Sequence, residues 1–221
     1  MGDKLHDSSV LVVGLGRFGS ALALALDRLG HEVLAVDGNM ERVQEYSGLL
    51  THVVQSDATN ESALRQIGAP DIDVAVVAIG NDIAKSVLAT GALIDVGVKQ
   101  VWAKAITAAH GRILERIGAN HVVFPEAEVG ERVAHLITGK MMDFIEFDDG
   151  FAIVKTRAPV ESHGRTLGET QLRKKYGVTI VGVKSHGEDF VYAQPSTTVH
   201  RGDVLIVAGR TEQVEKFAGV T

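Results

Sequence analysis

An apolar run, Val10-Leu11-Val12-Val13, stops at Gly14-Leu15-Gly16-Arg17-Phe18-Gly19, and a helical apolar pattern begins at once. No other feature of the chain narrows its fold as far. An unbroken apolar run reads as a strand buried on both faces, as in a parallel sheet. The helix face is carried by Phe18, Leu22, Ala25, Leu26 and Leu29, at i, i+4, i+7, i+8 and i+11, and Gly30 closes it. A second strand is expected over 32–37. In the resulting strand–turn–helix–strand unit, the spacing G-x-G-x-x-G has a physical meaning. The first glycine permits the tight turn, the second lets a pyrophosphate approach the backbone, and the third packs helix against strand. Free N–H groups and the helix dipole favour an anion at that helix start. Asp37 lies 18 residues after Gly19, at the end of the second strand. A carboxylate there can accept from ribose hydroxyls, and it disfavours a 2′-phosphate.

The alternation continues along the chain. Strands are expected at 52–55, 74–79, 101–103 and 121–124, with helices near 40–48, 61–67, 83–96 and 109–117. Strands interleaved with helices predict an α/β fold, a Rossmann-like doubly wound parallel sheet with right-handed crossovers. Pro125 then opens a helix to about residue 140, with Glu126, Glu128 and Glu131 early in it, as suits a helix N-terminus. After it the pattern changes. Strands at 142–147 and 151–156 are joined by Asp148-Asp149-Gly150, an antiparallel hairpin signal. A short helix at 167–176, strands at 178–184, 190–192 and 204–208, and a last helix at 211–217 complete a small α+β lobe. The expected division is 1–126, a nucleotide-binding domain; 127–141, a crossover helix; and 142–221, the second lobe.

In open α/β sheets ligands bind at the carboxyl ends of the strands. Besides Gly14, Gly16, Arg17, Phe18, Gly19 and Asp37, the candidate binding residues are therefore Asn39, Asp57 and Ala58 after strands two and three, Ile79, Gly80, Asn81 and Asp82 after strand four, and Lys104 after strand five. Arg17 and Lys104 are cations near where phosphates would lie. Asn81 or Asp82 reads equally well as a helix N-cap; for Lys104 the alternative to a phosphate contact is a solvated lysine.

Composition removes other classes. The chain has 221 residues and no cysteine, which excludes thiol catalysis, thiolate metal sites and a disulfide framework. Its net charge of −6 provides no footprint for a nucleic-acid backbone, so no nucleic-acid partner is expected. No apolar run reaches the roughly 18 residues of a membrane span. None of Tyr46, Tyr176 and Tyr192 has a lysine four residues on, and H-E-x-x-H, G-x-x-x-x-G-K-[ST] and G-x-S-x-G are absent. The loop G-L-G-R-F-G also resembles that of NAD-dependent D-2-hydroxyacid dehydrogenases. Those oxidoreductases carry a long substrate segment before the motif, whereas 13 residues precede Gly14 here.

Seven segments in order resemble the RCK-domain regulatory subunits of Ktr/Trk-type potassium uptake systems: V-V-G-L-G-R-F-G-S, G-H-E-V-L-A-V-D-G-N, T-H-V-V-Q-S-D-A-T, V-A-V-V-A-I-G-N-D, V-W-A-K-A, L-E-R-I-G-A-N-H-V-V-F-P-E and K-Y-G-V-T-I-V-G-V-K. The resemblance spans nearly the whole chain. It implies a cytoplasmic, non-enzymatic protein whose homodimers assemble into an octameric ring beneath a membrane potassium channel subunit. It implies ATP or ADP as ligand, with NAD or NADH in some members. Arg17 and Lys104 would serve the terminal phosphates, Asp37 and Asn39 the ribose, and Asp57 and Ala58 the adenine side. Glu126 matches a carboxylate that binds a divalent or monovalent cation in relatives, although Pro125-Glu126 is also a good helix start by itself. Some relatives bind cyclic di-AMP through the second lobe; the segment 166–173 departs from that pattern at Gly168 and Gln171.

Overall fold

The computed structural model describes residues 9–137 and 140–220. Six strands, β1 (Ser9–Val13), β2 (Glu32–Asp37), β3 (His52–Gln55), β4 (Val74–Val77), β5 (Gln100–Lys104) and β6 (His121–Val123), form one parallel sheet in the order β3-β2-β1-β4-β5-β6. Between them run α1 (Arg17–Arg28), α2 (Met40–Tyr46), α3 (Glu61–Gln66), α4 (Ile83–Asp95) and α5 (Ala108–Arg116). The chain winds outward from β1 to β3, then restarts at β4 on the other side of β1. The strand order therefore reverses between β1 and β4, and a crevice opens at their carboxyl ends.

The unalternating apolar pattern of β1 follows from burial on both sides. Leu11 and Val13 join Val36, Val77, Leu64, Leu93 and Leu114 in one core cluster, while Val10 and Val12 join Ala35, Val76, Ala23 and Leu50 in the other. Each fully buried aliphatic side chain contributes roughly 1.5–3 kcal/mol. Close packing also explains the third glycine of the loop. A Cβ on Gly19 would collide with the Gly14 carbonyl oxygen and lie 2.9 Å from the Ala78 Cβ. Gly14 itself has φ +98°, a conformation that disfavours any side chain.

Contacts divide the chain into two compact units, residues 1–126 and 127–221. Helix α6 (Pro125–Ile137) starts at the end of the first and continues in the second; residues 138 and 139, expected to extend it, lie outside the described residues. In the second unit, β7 (Asp143–Phe147), β8 (Phe151–Arg157), β10 (Thr179–Lys184), β11 (Val191–Tyr192) and β13 (Val204–Arg210) form an antiparallel sheet in the order β11-β10-β13-β8-β7. The hairpin signal at 148–150 is realised, with Asp149 at φ 76° and Gly150 at φ 65° making the reversal. Phe144, Val154, Leu172, Leu205, Val207 and Phe217 form its core, the last from α9 (Thr211–Ala218).

Two expectations change here. The single helix at 167–176 is two, α7 (Leu167–Thr170) and α8 (Leu172–Tyr176), because Gln171 takes the left-handed conformation at φ 52°. Thr166 and Glu169 form a capping box on α7, which ends within one turn. A two-stranded ladder, β9 (Arg165–Thr166) with β12 (Thr198–Val199), carries no apolar alternation that a sequence reading could have detected. Among the described residues, no helix is long and apolar enough to cross a membrane.

Candidate functional site

The helix starts around the crevice differ in one respect. Asn39 caps α2 by accepting from the Glu41 N–H at 2.8 Å, Asn60 caps α3 (Ala63 N–H, 3.2 Å), Asp82 caps α4 (Lys85 N–H, 2.9 Å) and Thr107 caps α5 (His110 N–H, 3.1 Å). Helix α1 has Gly16 at its N-cap, with no side-chain cap and no acidic residue in its first turn. Its first N–H groups and its dipole are left for an anion from outside the chain. A Cβ at Gly16 would meet nothing within 4 Å, so open space lies over this end.

That space is a cleft of about 970 Å³, large enough for a nucleotide. Its floor is the loop after β1, contributed by Gly14, Gly16, Arg17 and Phe18. Asp37 and Asn39 line it after β2, Asp57 and Ala58 after β3, Ile79, Gly80 and Asn81 after β4, and Lys104 with Glu126 at the β5 side. Two sequence candidates do not line it. Gly19 lies beneath the loop, filling its role by lacking a Cβ, and the Asp82 side chain is committed to capping α4. Structure adds Arg42, Ser56, Thr59 and Lys85. Ser56 and Thr59 flank Asp57 and Ala58 within the segment T-H-V-V-Q-S-D-A-T, whereas Arg42 and Lys85 lie in none of the seven segments and reach the cleft because the first turns of α2 and α4 bring them back over the strand ends.

Asp37 is 8% exposed and does more than the sequence suggested. Its Oδ2 accepts the Leu15 N–H at 2.7 Å and its Oδ1 the Asn39 N–H at 2.8 Å, so the carboxylate ties the glycine loop to the start of α2. The Arg42 guanidinium donates to Oδ2 at 3.2 Å. In Asp57, the Thr59 hydroxyl (2.8 Å) and N–H (3.0 Å) both reach Oδ1. Those bonds, first the hydroxyl's, hold the carboxyl below the usual carboxylate range, with the Lys85 charge adding to the effect.

Lys104 is only 7% exposed. Its ammonium lies 5.6 Å from the Phe18 ring centroid and donates to Glu126 Oε1 at 2.5 Å. Gly80 makes room for it, since a Cβ there would lie 2.9 Å from Nζ. A buried lysine needs an anionic partner, and within this chain Glu126 is that partner. The bond from Lys104 lowers the Glu126 carboxyl below its ordinary range. Among the described residues no cluster of three or more histidine, aspartate or glutamate side chains could hold a metal ion.

Comparison with known proteins agrees with this geometry. Residues 10–125 match the TrkA-N domain and residues 153–219 the TrkA-C domain. The chain is 36% identical over 207 residues to Ktr system potassium uptake protein C of Bacillus subtilis, covering 93% of this chain and 94% of that protein. It is 33% identical over 215 residues to Ktr system potassium uptake protein A of the same organism, covering 97% of each. Among solved structures, the GsuK channel bound to NAD superposes with TM-score 0.53 at 26% identity, over 99% of this chain and 39% of the channel. GsuK bound to ADP matches 61% of this chain and 35% of that one, with TM-score 0.52 and 26% identity. This chain thus spans well under half of those channel chains. A glycine loop under an uncapped helix, a strand-end aspartate and two successive matching domains lead to one conclusion: the chain belongs to the family of Ktr and Trk potassium uptake proteins built from a TrkA-N and a TrkA-C domain.

Proposed function

We propose that this protein is a cytosolic, nucleotide-binding regulatory subunit of a potassium uptake channel or transporter. The observation that carries the reading is the uncapped start of α1, open to a nucleotide-sized cleft with Arg17 and Lys104 on its rim. Family membership supplies the physiological setting, and the NAD- and ADP-bound GsuK structures support an adenine nucleotide as ligand. The phosphates would lie over Gly16, with Arg17 and Lys104 as counter-charges. The adenosine ribose would reach Asp37 and Asn39, and the base would lie beside Asp57 and Ala58. ATP and ADP are the ligands we assign, and a cation held between the terminal phosphate and Glu126 completes the scheme. Residues 1–126 would bind the nucleotide, 127–141 would form the connecting helix, and 142–221 the second lobe.

Regulation of this kind needs no chemistry on the nucleotide. It needs a ligand whose affinity differs between two states of the assembly. Homodimers arranged as an octameric ring on the cytoplasmic face of a membrane channel subunit would provide those states. The oxidoreductase reading has no comparable support: the matched relatives are uptake proteins, and the described cleft lining contains no histidine to take a hydroxyl proton. The decisive experiment identifies the nucleotide that copurifies with the protein and measures the thermal shift caused by ATP, ADP and NAD. Shifts of several degrees with ATP and ADP are expected. No shift with any of them, or turnover of a hydroxy acid with NAD, overturns the proposal. Light scattering tests the ring, and a monomer at micromolar concentration with and without nucleotide sinks that part.

A further inference from the structure

An antiparallel sheet that packs one face on a core and leaves the other in water alternates apolar and polar side chains along each strand. The sheet of the second unit departs from that pattern. Its inner face carries Phe144, Ala152, Val154, Leu205 and Val207, all packed in the core cluster. The positions between them point the other way, and at one end of the sheet they are apolar as well. Phe147 lies opposite Phe151 and Ile145 opposite Ile153 across β7 and β8, and Ile153 opposite Ala208 across β8 and β13. Ile145 is 51% exposed, Phe147 49% and Phe151 44%. Toward the other end the same face turns basic. On β8, Lys155 lies opposite Ile206 and Arg157 opposite Val204, which pairs in turn with Lys184 on β10. Phe190 stands between two of these cations, its ring centroid 5.8 Å from Lys155 Nζ and 5.4 Å from Lys184 Nζ. A Cβ on Gly182 would lie 3.7 Å from the Phe190 ring and 3.8 Å from the Ile206 side chain, so both belong to this outer face. Among the described residues Lys155, Arg157 and Lys184 have no ion-pair partner, whereas Asp143, opposite Lys155, is held by Arg132 at 2.6 Å.

A contiguous apolar patch rimmed by charge marks a binding surface, and here the charge decides what covers it. A second copy docked on the same face with its strands aligned would set cation on cation. With its strands reversed it would bury Lys155 and Arg157 under Phe147 and Phe151, with no carboxylate to pair them. An anionic bilayer would meet exposed carboxylates at both ends, Asp149 at the β7–β8 hairpin and Glu188 and Asp189 before β11. A protein segment that is apolar at one end and acidic at the other satisfies both halves. We propose that the outer face of this sheet is a docking surface for such an acidic, amphipathic segment of another protein. Its apolar side chains seat on Ile145, Phe147, Phe151 and Ile153, and its carboxylates pair with Lys155, Arg157 and Lys184. The surface lies wholly within the second unit and does not depend on the nucleotide cleft.

The test uses the full chain and two labelled synthetic peptides of about 14 residues, each with leucines and a phenylalanine in its first half. One carries four glutamates in its second half, the other four lysines. Fluorescence anisotropy at physiological salt is expected to give the acidic peptide a Kd on the order of 10 µM and the basic one at least about tenfold weaker binding. Lys155→Glu combined with Lys184→Glu should reverse that preference, and Ile145→Lys, at a half-exposed position, should weaken the acidic peptide about tenfold. Calorimetry of the second unit's transition confirms that the variants are folded. Equal affinity for the two peptides, no binding of the acidic one at about 1 mM, or an unchanged preference in the folded double variant overturns the proposal. Two further measurements address the other occupants. Light scattering should give Ile145→Lys the same mass as wild type, and a smaller mass would make the face a contact between copies. Vesicles of phosphatidylcholine with about 30% phosphatidylserine should not sediment the protein, and sedimentation abolished by the charge reversal would make the occupant a lipid surface; either result overturns the proposal.

Discussion

Two alanine substitutions three residues apart should separate folding from ligand binding. At Gly19 a Cβ would collide with the Gly14 carbonyl oxygen and press on the Ala78 Cβ at 2.9 Å. Alanine recovers about 1 kcal/mol of helix propensity over glycine, whereas forcing atoms into a packed site costs about 1–3 kcal/mol and more when the obstacle is backbone. Because the carbonyl belongs to the loop and cannot move without opening β1 from α1, the clash should dominate. We expect Gly19→Ala to destabilise the first unit by about 2 kcal/mol, a fall of about 8 °C in Tm for a unit of this size. At Gly16 the backbone is extended, φ −71° and ψ −176°, and an added Cβ meets nothing. Alanine is a poorer N-cap than glycine, so Gly16→Ala should cost less than about 1 kcal/mol. Its methyl, however, occupies the space where phosphates would approach the N–H groups of α1. The single tryptophan, Trp102 in β5, makes selectively excited tryptophan fluorescence a probe of the first unit alone. A nucleotide at a thousand times its Kd adds about 4 kcal/mol of stability, a shift that Gly16→Ala should abolish while leaving the ligand-free melt nearly unchanged. A Gly19→Ala protein as stable as wild type would refute the packing argument, and full nucleotide stabilisation of Gly16→Ala would refute the placement of the phosphates.

Other outcomes are equally specific. Gly91→Ala, in the middle of α4 where a Cβ meets nothing, should raise stability by about 0.5–1 kcal/mol in the same melt. Burial holds the His110 imidazole below its ordinary value near 6.5. The unfolded chain therefore takes up the proton first as pH falls, so denaturation midpoints should be flat above about pH 6.5 and decline below it, with His110→Gln flattening the decline. Phe217→Ala empties a fully buried site in the second core, and should lower the calorimetric transition of residues 127–221 by about 3–5 kcal/mol while the Trp102 transition stays in place. Lys104→Met leaves the Glu126 carboxylate without its donor, so the Glu126 pKa, followed by NMR, should rise toward the ordinary carboxylate value.

Much of the fold was legible because its signals are local. The β1 apolar run, the glycine loop and the 3.6-residue pattern of α1 occupy 20 consecutive residues, 10–29, and each carries its own steric or solvation reason. Hairpin residues 148–150 are a similar case. The failures have physical causes too. Gln171 breaks a helix that its neighbours favour, and glutamine carries no sign of a left-handed backbone. The ladder of β9 with β12 is two residues long on each side, below the length at which alternation can show.

The binding site divides along the same line. Sequence identified which positions end the strands, and in a parallel sheet the carboxyl ends of the strands converge, so Gly14, Asp37, Asp57, Gly80 and Lys104 could be named without coordinates. Once the structure places the start of α1 at Gly16, the missing cap follows from that one residue. What only the tertiary structure decided is which groups those side chains meet. Asp37 holds the Leu15 N–H from 22 residues away, Lys104 pairs with Glu126 across the same separation, Gly19 serves from below the loop, and Arg42 enters the site from a helix that no motif marks. Backbone conformation follows from neighbours in the chain; hydrogen bonds and ion pairs between distant residues depend on how the elements pack, and those partners determine which acceptors remain free for a ligand.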